Sequence, residues 1–297
     1  MKNAVILHNP GAGDEEYSDN ELVSLIEENG FNTSYFSLKD KHWKKLSMDD
    51  DFLIITGGDG SIRKVIKELI NRQSDLDFPI AVIPAGTANN IAKTLGIFEN
   101  SFSLVRQWHQ MKVQKFDLGC VRCNADAVFF LEGFGYGLFP RLMKEMKKIP
   151  KGLTDTPEKK LQKAQEVLKN VVDTYKAVHA TVTIDGNTFP GDFLMIEVMN
   201  IKSLGPNFVL APNADPGDGI FEVALVYENQ RGKVASYVSD RIRDLEGDLD
   251  VTVLSGKNIQ INWEGDDVHV DDEILDDKDY RQVNLGIYDK TVKFLVS

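Results

Sequence analysis

Apolar and polar positions follow two rhythms along this chain, and the rhythm changes near residue 113. Before it, short apolar runs are each followed by a glycine-bearing loop and then by a helical pattern. Asn3 to Asn9 predicts a first strand, leaving through Asn9-Pro10-Gly11-Ala12-Gly13. Glu21 to Glu28 places Leu22, Leu25 and Ile26 at helical spacing. Phe31 to Leu38 predicts a second strand. Phe52 to Ile55 predicts a buried third, which meets Gly57-Gly58-Asp59-Gly60 and then a helix with Ile62, Val65, Ile66, Leu69 and Ile70 on one face. Pro79 to Pro84 predicts another buried strand, leaving through Ala85-Gly86-Thr87-Ala88-Asn89-Asn90 toward a short helical run, Ile91 to Leu95. Strands alternating with helices predict a parallel sheet covered on both faces, a three-layer α/β domain.

After residue 113 the runs are short and β-rich. They are Val113 to Arg122, Ala127 to Phe134, Ala180 to Ile184, Asp192 to Val198, Ile220 to Tyr227, Val251 to Val253, Ile259 to Trp263 and Val283 to Ile287. Turns such as Asp185-Gly186-Asn187 separate them, which predicts an antiparallel β-sandwich. Thr156-Pro157 predicts a capped helix start, and Leu161, Ala164, Leu168, Val171 and Tyr175 form its apolar stripe. The expected division is an α/β domain over 1–115, joined by 290–297, and a sandwich over 116–289 with a helical insertion at 136–177.

Three small polar loops leave strand ends at Asn9, Gly57 and Gly86. In open α/β sheets ligands bind outside the carboxyl ends of the strands, so these loops can converge on one anion. Glycines allow close backbone approach, and N–H groups at a helix start favour an anion. Asp59 would repel phosphate unless a cation lay between, and Mg²⁺ on nucleotide phosphates is such a cation. No Walker A motif occurs. Gly133-Phe134-Gly135-Tyr136-Gly137 has the wrong spacing for a dinucleotide fingerprint and predicts a packed turn.

The net charge of −12 over 297 residues argues against a nucleic-acid partner, whose footprint is basic. No apolar run approaches the ~20 residues of a membrane span. The start, MKNAVILHNP, does not read as a signal peptide, so a cytoplasmic location is expected. The cysteines, Cys120 and Cys123, lack the second pair a zinc site needs, and lie in a strand-like run rather than at a helix start. They are expected as two reduced thiols. Phe139 to Lys151 holds Arg141, Lys144, Lys147, Lys148 and Lys151 near Leu138, Phe139, Leu142, Met143, Met146 and Ile149. It predicts either a solvated helix face over the sandwich or a basic amphipathic helix that meets an anionic bilayer transiently.

Taken in order, several motifs resemble the diacylglycerol kinase catalytic family, in particular its soluble bacterial two-domain lipid kinases; sphingosine kinases are similar. They are Asn9-Pro10 with Gly13, Gly57 to Ser61, Pro84 to Asn90, Gly133-Phe134-Gly135, Ala211-Pro212-Asn213-Ala214 with Asp218-Gly219, and Val270 to Glu273. The resemblance implies an active cleft between a nucleotide domain and a sandwich domain, ATP as phosphoryl donor, Mg²⁺, and a lipid hydroxyl as acceptor. It implies that Asn9, Ser37, Gly57, Gly58, Asp59, Gly60, Ser61, Gly86, Thr87 and Asn89 hold the nucleotide, with Asp59 near its Mg²⁺. It maps a structural metal loop onto Asp215, Asp218 and the Ile220 carbonyl, and the family's proton acceptor onto Glu273. In an extended chain side chains two apart share a face, which predicts Asp271 beside Glu273 and Asp272 turned away. The chain departs from the family at Asp272, where a glycine is usual, at Asn90, where an acid is usual, at Arg63-Lys64, and at the reduced cluster Gly205-Pro206-Asn207. Two other readings stay open: an NAD kinase-like enzyme, and a catalytically weak nucleotide-binding regulatory protein. The lipid and the oligomeric state stay open as well.

Overall fold

The computed structural model describes every residue except 13–17, 47–49, 74–75, 99–100, 124–125, 154–155, 207, 246, 276–279 and 297. Gly13 and Asn207 therefore lie outside the described residues. The chain divides into two compact units, Met1–Phe116 with Lys290–Ser297, and Asp117–Asp289.

The first unit runs β1 (Lys2–His8), α1 (Asp19–Glu28), β2 (Phe31–Ser37), β3 (Phe52–Gly57), α2 (Asp59–Asn71), β4 (Pro79–Pro84), α3 (Asn90–Thr94) and α4 (Ser101–Gln107). Its sheet is parallel. β1 pairs with β2 and β3, β3 pairs with β4, and Lys293 and Phe294 of the chain's last strand pair with Pro79 and Ile80 of β4. Every residue of β3 is buried, as a strand covered on both faces requires. Helix α1 starts where Ser18 and Glu21 form a reciprocal capping box, with Glu21 Oε2 accepting the Ser18 N–H at 2.8 Å. Helix α2 buries Ile62, Val65, Ile66 and Leu69, the face read from its spacing.

The second unit begins in β5 (Val113–Cys123) and continues through β6 (Asp126–Phe130), β7 (Gly133–Gly137), α5 (Leu138–Met146), α6 (Pro157–Thr174), β8 (Val178–Ile184) and β9 (Asn187–Met199). It goes on through β10 (Ser203–Leu204), β11 (Phe208–Val209), β12 (Phe221–Tyr227), α7 (Arg231–Ile242), β13 (Thr252–Gly256), β14 (Ile259–Trp263), β15 (Val268–Val270), β16 (Glu273–Ile274) and β17 (Gln282–Leu295). Its pairings are antiparallel, running from β16 through β15, β7, β9, β8 and β14 to β17, with β12 and β13 added beside β9. One core gathers Phe134, Tyr136, Ile196, Val198, Phe221 and Trp263 between strands. A second core packs Met195 and Met199 of β9 under α5, α6 and α7. The fold is thus a mixed α/β domain followed by an antiparallel β-sandwich.

Two expectations are corrected here. Gly133 to Gly137 is a fully buried strand, not a turn, paired on one side with β9 and on the other with β15. The run expected from Ala127 to Phe134 is accordingly two strands, broken at Leu131-Glu132. Of the two readings of helix α5, the fold favours the solvated face over the sandwich, since Leu138, Phe139 and Leu142 are buried in the second core. Its cations Arg141 and Lys144 pair with Asp267. Helix α6 starts as expected, with Thr156 Oγ1 accepting the Lys159 N–H at 3.3 Å and Pro157 in the first turn. Cys120 and Cys123 are buried free thiols. No helix among the described residues is long and apolar enough to cross a membrane.

Candidate functional site

In the first unit the three predicted loops meet at the carboxyl ends of β1, β3 and β4. Asn9 Nδ2 donates to Ser61 Oγ at 2.8 Å, tying the β1 loop to the first turn of α2. The Asn9 N–H donates to the Thr56 carbonyl, and the Ala85 N–H to the Gly57 carbonyl. Gly58 and Gly86 approach so closely that a Cβ on Gly86 would lie 2.4 Å from the Gly58 Cα. Only residues without a Cβ fit there. Asn89 closes its own loop: Oδ1 accepts the Gly86 N–H and Nδ2 donates to the Gly86 carbonyl, both at 2.9 Å. The backbone of Asn89 is left-handed, at φ 52°, which asparagine tolerates well.

Asp59 joins the second and third loops. Its Oδ2 accepts the Asn90 N–H at 2.9 Å and its Oδ1 the Ile91 N–H at 3.0 Å. It therefore caps α3 from another element. The carboxylate is therefore partly buried and engaged with backbone before any ligand binds. Ser61 and Asn90 are buried, and Gly60 is exposed. Ser37 stands at the end of β2, where its Oγ accepts the Lys39 N–H at 3.2 Å. Thr87 is half-buried in the β4 loop.

One cluster beside Asn9 escaped the sequence. His8 Nδ1 lies 2.9 Å from Tyr35 Oη, and both rest on the Asp19 carboxylate at the start of α1. Burial lowers the His8 pKa, against the pull of Asp19. Its signal was a histidine ending an otherwise apolar strand.

In the second unit, Asp271 and Glu273 flank a tight connection between β15 and β16, with Val270 opposite Glu273. The Asp271 backbone is left-handed, at φ 47°, so the alternation argument fails there. Its carboxylate is buried and accepts the N–H groups of Leu131, Glu132 and Gly133 at 2.8 to 3.2 Å. Glu273 is exposed. The two acids do not share an open face, and the pairing expected between them is withdrawn.

The loop over Asp215, Asp218 and Ile220 is folded on its own backbone. Asp215 Oδ1 accepts the Gly217 N–H, and Asp218 Oδ1 accepts the Ile220 N–H. Asp117, missed in the sequence, anchors the loop by accepting the Gly219 N–H at 2.9 Å and donating its own N–H to the Pro216 carbonyl. Both Asp215 and Asp218 are exposed. Two carboxylates and a carbonyl suit a hard, water-retaining cation such as Mg²⁺. Among the described residues no three His, Cys, Asp or Glu side chains gather as a metal cluster. A cation here would accordingly keep several waters.

The two units are a mixed α/β domain and an antiparallel β-sandwich domain. Residues 3–121 match the model of the diacylglycerol kinase catalytic domain, and residues 153–281 match the YegS C-terminal NAD kinase beta sandwich-like domain. The chain thus carries a match to each of these two domains, one after the other. It is 28% identical over 181 residues, 59% of its length, to the "Probable lipid kinase YegS-like" of Shewanella frigidimarina. The matched stretches span 54% to 60% of the length of the curated relatives. A crystal structure of a diacylglycerol kinase from Bacillus anthracis str. Sterne superposes with a TM-score of 0.71 at 17% identity, covering 100% of this chain and 97% of that one. That likeness concerns the fold.

Proposed function

We propose that this chain is an ATP-dependent lipid kinase, phosphorylating a hydroxyl of a diacylglycerol-like or long-chain-base-like lipid. The observation that carries the reading is the loop assembly at the strand ends of the first unit. There Gly58 and Gly86 touch and Asp59 fixes the start of α3, so the backbone of two glycine loops is held rigid before any ligand arrives. Phosphoryl transfer depends mainly on positioning and on neutralised charge, and a rigid cradle supplies the first. Gly57 to Ser61, Gly86 and Thr87 take the phosphates in this reading, with Asn9, Ser37 and Asn89 around them. Mg²⁺ would supply charge neutralisation on the phosphates near Asp59, and a second ion would brace the loop of Asp215, Asp218 and the Ile220 carbonyl. Glu273, exposed and acidic, is the group assigned to accept the hydroxyl proton.

The test is a phosphorylation assay with ATP and Mg²⁺ over a lipid panel, read by mass, with NAD⁺ as a parallel acceptor. A phosphorylated lipid supports the reading. Phosphorylated NAD⁺ without lipid product replaces it with an NAD kinase-like activity. Nucleotide binding with neither product makes the chain a nucleotide-binding regulator.

A further inference from the structure

The second unit buries a carboxylate within the apolar second half of β9. Glu197 stands in Phe193-Leu194-Met195-Ile196-Glu197-Val198-Met199, fully buried. Its carboxylate faces His269 of β15, with Nε2 at 3.0 Å from Oε1 and 3.1 Å from Oε2. Gly135 stands between them in the sheet, opposite Glu197 on one side and His269 on the other. A Cβ on Gly135 would lie 2.1 Å from Glu197 Oε2, so this glycine makes the room the carboxylate occupies.

The other imidazole nitrogen fixes the protonation. His269 Nδ1 lies 2.8 Å from the Asp271 carbonyl oxygen. A carbonyl only accepts, so Nδ1 must carry a proton. The Nε2–Glu197 contact then needs one proton of its own, because two buried acceptors at this distance would be uncompensated. The pair thus keeps a proton that the separate side chains would shed more easily in water. Desolvation alone would lower the His269 pKa, but the charge and hydrogen bond of Glu197, with the Asp271 carbonyl, raise it. Burial raises that of Glu197. The charged groups on the surrounding elements are Glu197 on β9, Asp271 and Asp267 flanking β15, and Arg141 and Lys144 on α5, both paired with Asp267.

Asp271 is therefore gripped twice, its carboxylate by the N–H groups of Leu131, Glu132 and Gly133 and its carbonyl by His269. Glu273 follows two residues later. We propose that His269, its Nδ1–H oriented by Glu197, is a positioning residue that sets the Asp271 turn and through it the placement of Glu273. This rests on the assignment of Glu273 as proton acceptor.

The decisive variant is Glu197→Gln/His269→Leu, which removes the Nδ1–H donor without stranding a buried charge. It is compared with His269→Asn, whose amide can still donate, and with Glu197→Gln alone. Expected is a fall in kcat of roughly ten- to a hundredfold in the double variant, the scale of a small misplacement, with the KM for ATP unchanged. His269→Asn and Glu197→Gln should retain more of the rate. In the wild type, nitrogen NMR should show Nδ1 protonated at neutral pH, as its contact with the Asp271 carbonyl requires. Wild-type kcat in the double variant, or an Nδ1 without its proton, overturns the proposal. If the wild type phosphorylates no lipid, the kinase reading fails separately. Amide exchange at residues 271 to 273 then judges the positioning claim: faster exchange in the double variant supports it, and unchanged protection overturns it.

Discussion

The Gly58 and Gly86 backbones are in van der Waals contact, with a Cβ on Gly86 falling 2.4 Å from the Gly58 Cα and 2.8 Å from Asn89 Oδ1. Two loops that begin on different strands are thereby locked together. The glycines are required by this packing as well as by any phosphate they receive. Gly86→Ala should push the loops apart and break the ring that Asn89 closes on Gly86. Overpacking of this kind costs about 1–3 kcal/mol. Chemical denaturation should show that loss, and titration with ATP should show weakened binding. A variant with unchanged midpoint and unchanged ATP affinity would mean the contact is dispensable.

Asp59 gives a second, separable outcome. Its carboxylate caps the N–H groups of Asn90 and Ile91 from another helix. Replacing a capping acid by alanine costs about 0.5–2 kcal/mol, so Asp59→Ala should lower stability by that amount in the absence of any nucleotide. Asp59→Asn keeps one acceptor and should lose less. If Asp59 acted only on bound Mg²⁺, neither variant would move the ligand-free denaturation midpoint.

The rhythm of the chain made the fold legible where local chemistry sets the boundaries. Pro79 to Pro84 and Ile259 to Trp263 are strands with those bounds, since proline and turn residues end them. What could not be read depends on partners far along the chain. Gly133 to Gly137 reads as a turn from composition, yet the reason for Gly135 is a carboxylate 62 residues later, Glu197, lying across the sheet. Asp59 reads as a phosphate-facing acid because its neighbours are glycines, while its partners are 31 and 32 residues away. Helix α7 carries a local signal as well, since Val234, Tyr237 and Val238 have helical spacing and are buried on one face. The candidate site in the first unit could be named by motif. How its residues brace one another could not.

A pH dependence follows from the β8–β9 hairpin. Asp185 accepts the N–H groups of Asn258 at 2.9 Å and Lys257 at 3.0 Å, and these bonds hold its pKa below the ordinary value of 3.8. A depressed carboxylate contributes stability above its unfolded pKa and loses it as pH falls through the folded one. Stability should therefore fall on acidification below about pH 4, and Asp185→Asn should flatten part of that slope. Asparagine suits the left-handed backbone of residue 185, at φ 45°, so the variant reads the charge and not backbone strain. Denaturation midpoints at neutral and acidic pH, compared between wild type and variant, measure it. Identical acid slopes would remove Asp185 from the account.

Asp271 and Glu273 should separate cleanly into structure and chemistry. Asp271 is buried, with its carboxylate accepting three backbone N–H groups, whereas Glu273 is exposed. Asp271→Asn keeps a side chain that tolerates φ 47°, but it loses the charge and turns an amide donor toward N–H groups that need acceptors. Leaving such buried donors poorly satisfied costs about 1–3 kcal/mol, so this variant should unfold at lower denaturant. Its remaining folded fraction should bind ATP normally. Glu273→Gln removes an exposed carboxylate with no burial to lose, so its denaturation midpoint should match the wild type. If Glu273 accepts the hydroxyl proton, that variant should lose about 10²–10⁴-fold in kcat with the KM for ATP unchanged. The two measurements must be made together, because a low rate in Asp271→Asn could come from unfolding alone. Rates are therefore taken per folded molecule, at a temperature where both variants remain native. Loss of stability in Glu273→Gln, or full stability with lost turnover in Asp271→Asn, would exchange the two roles.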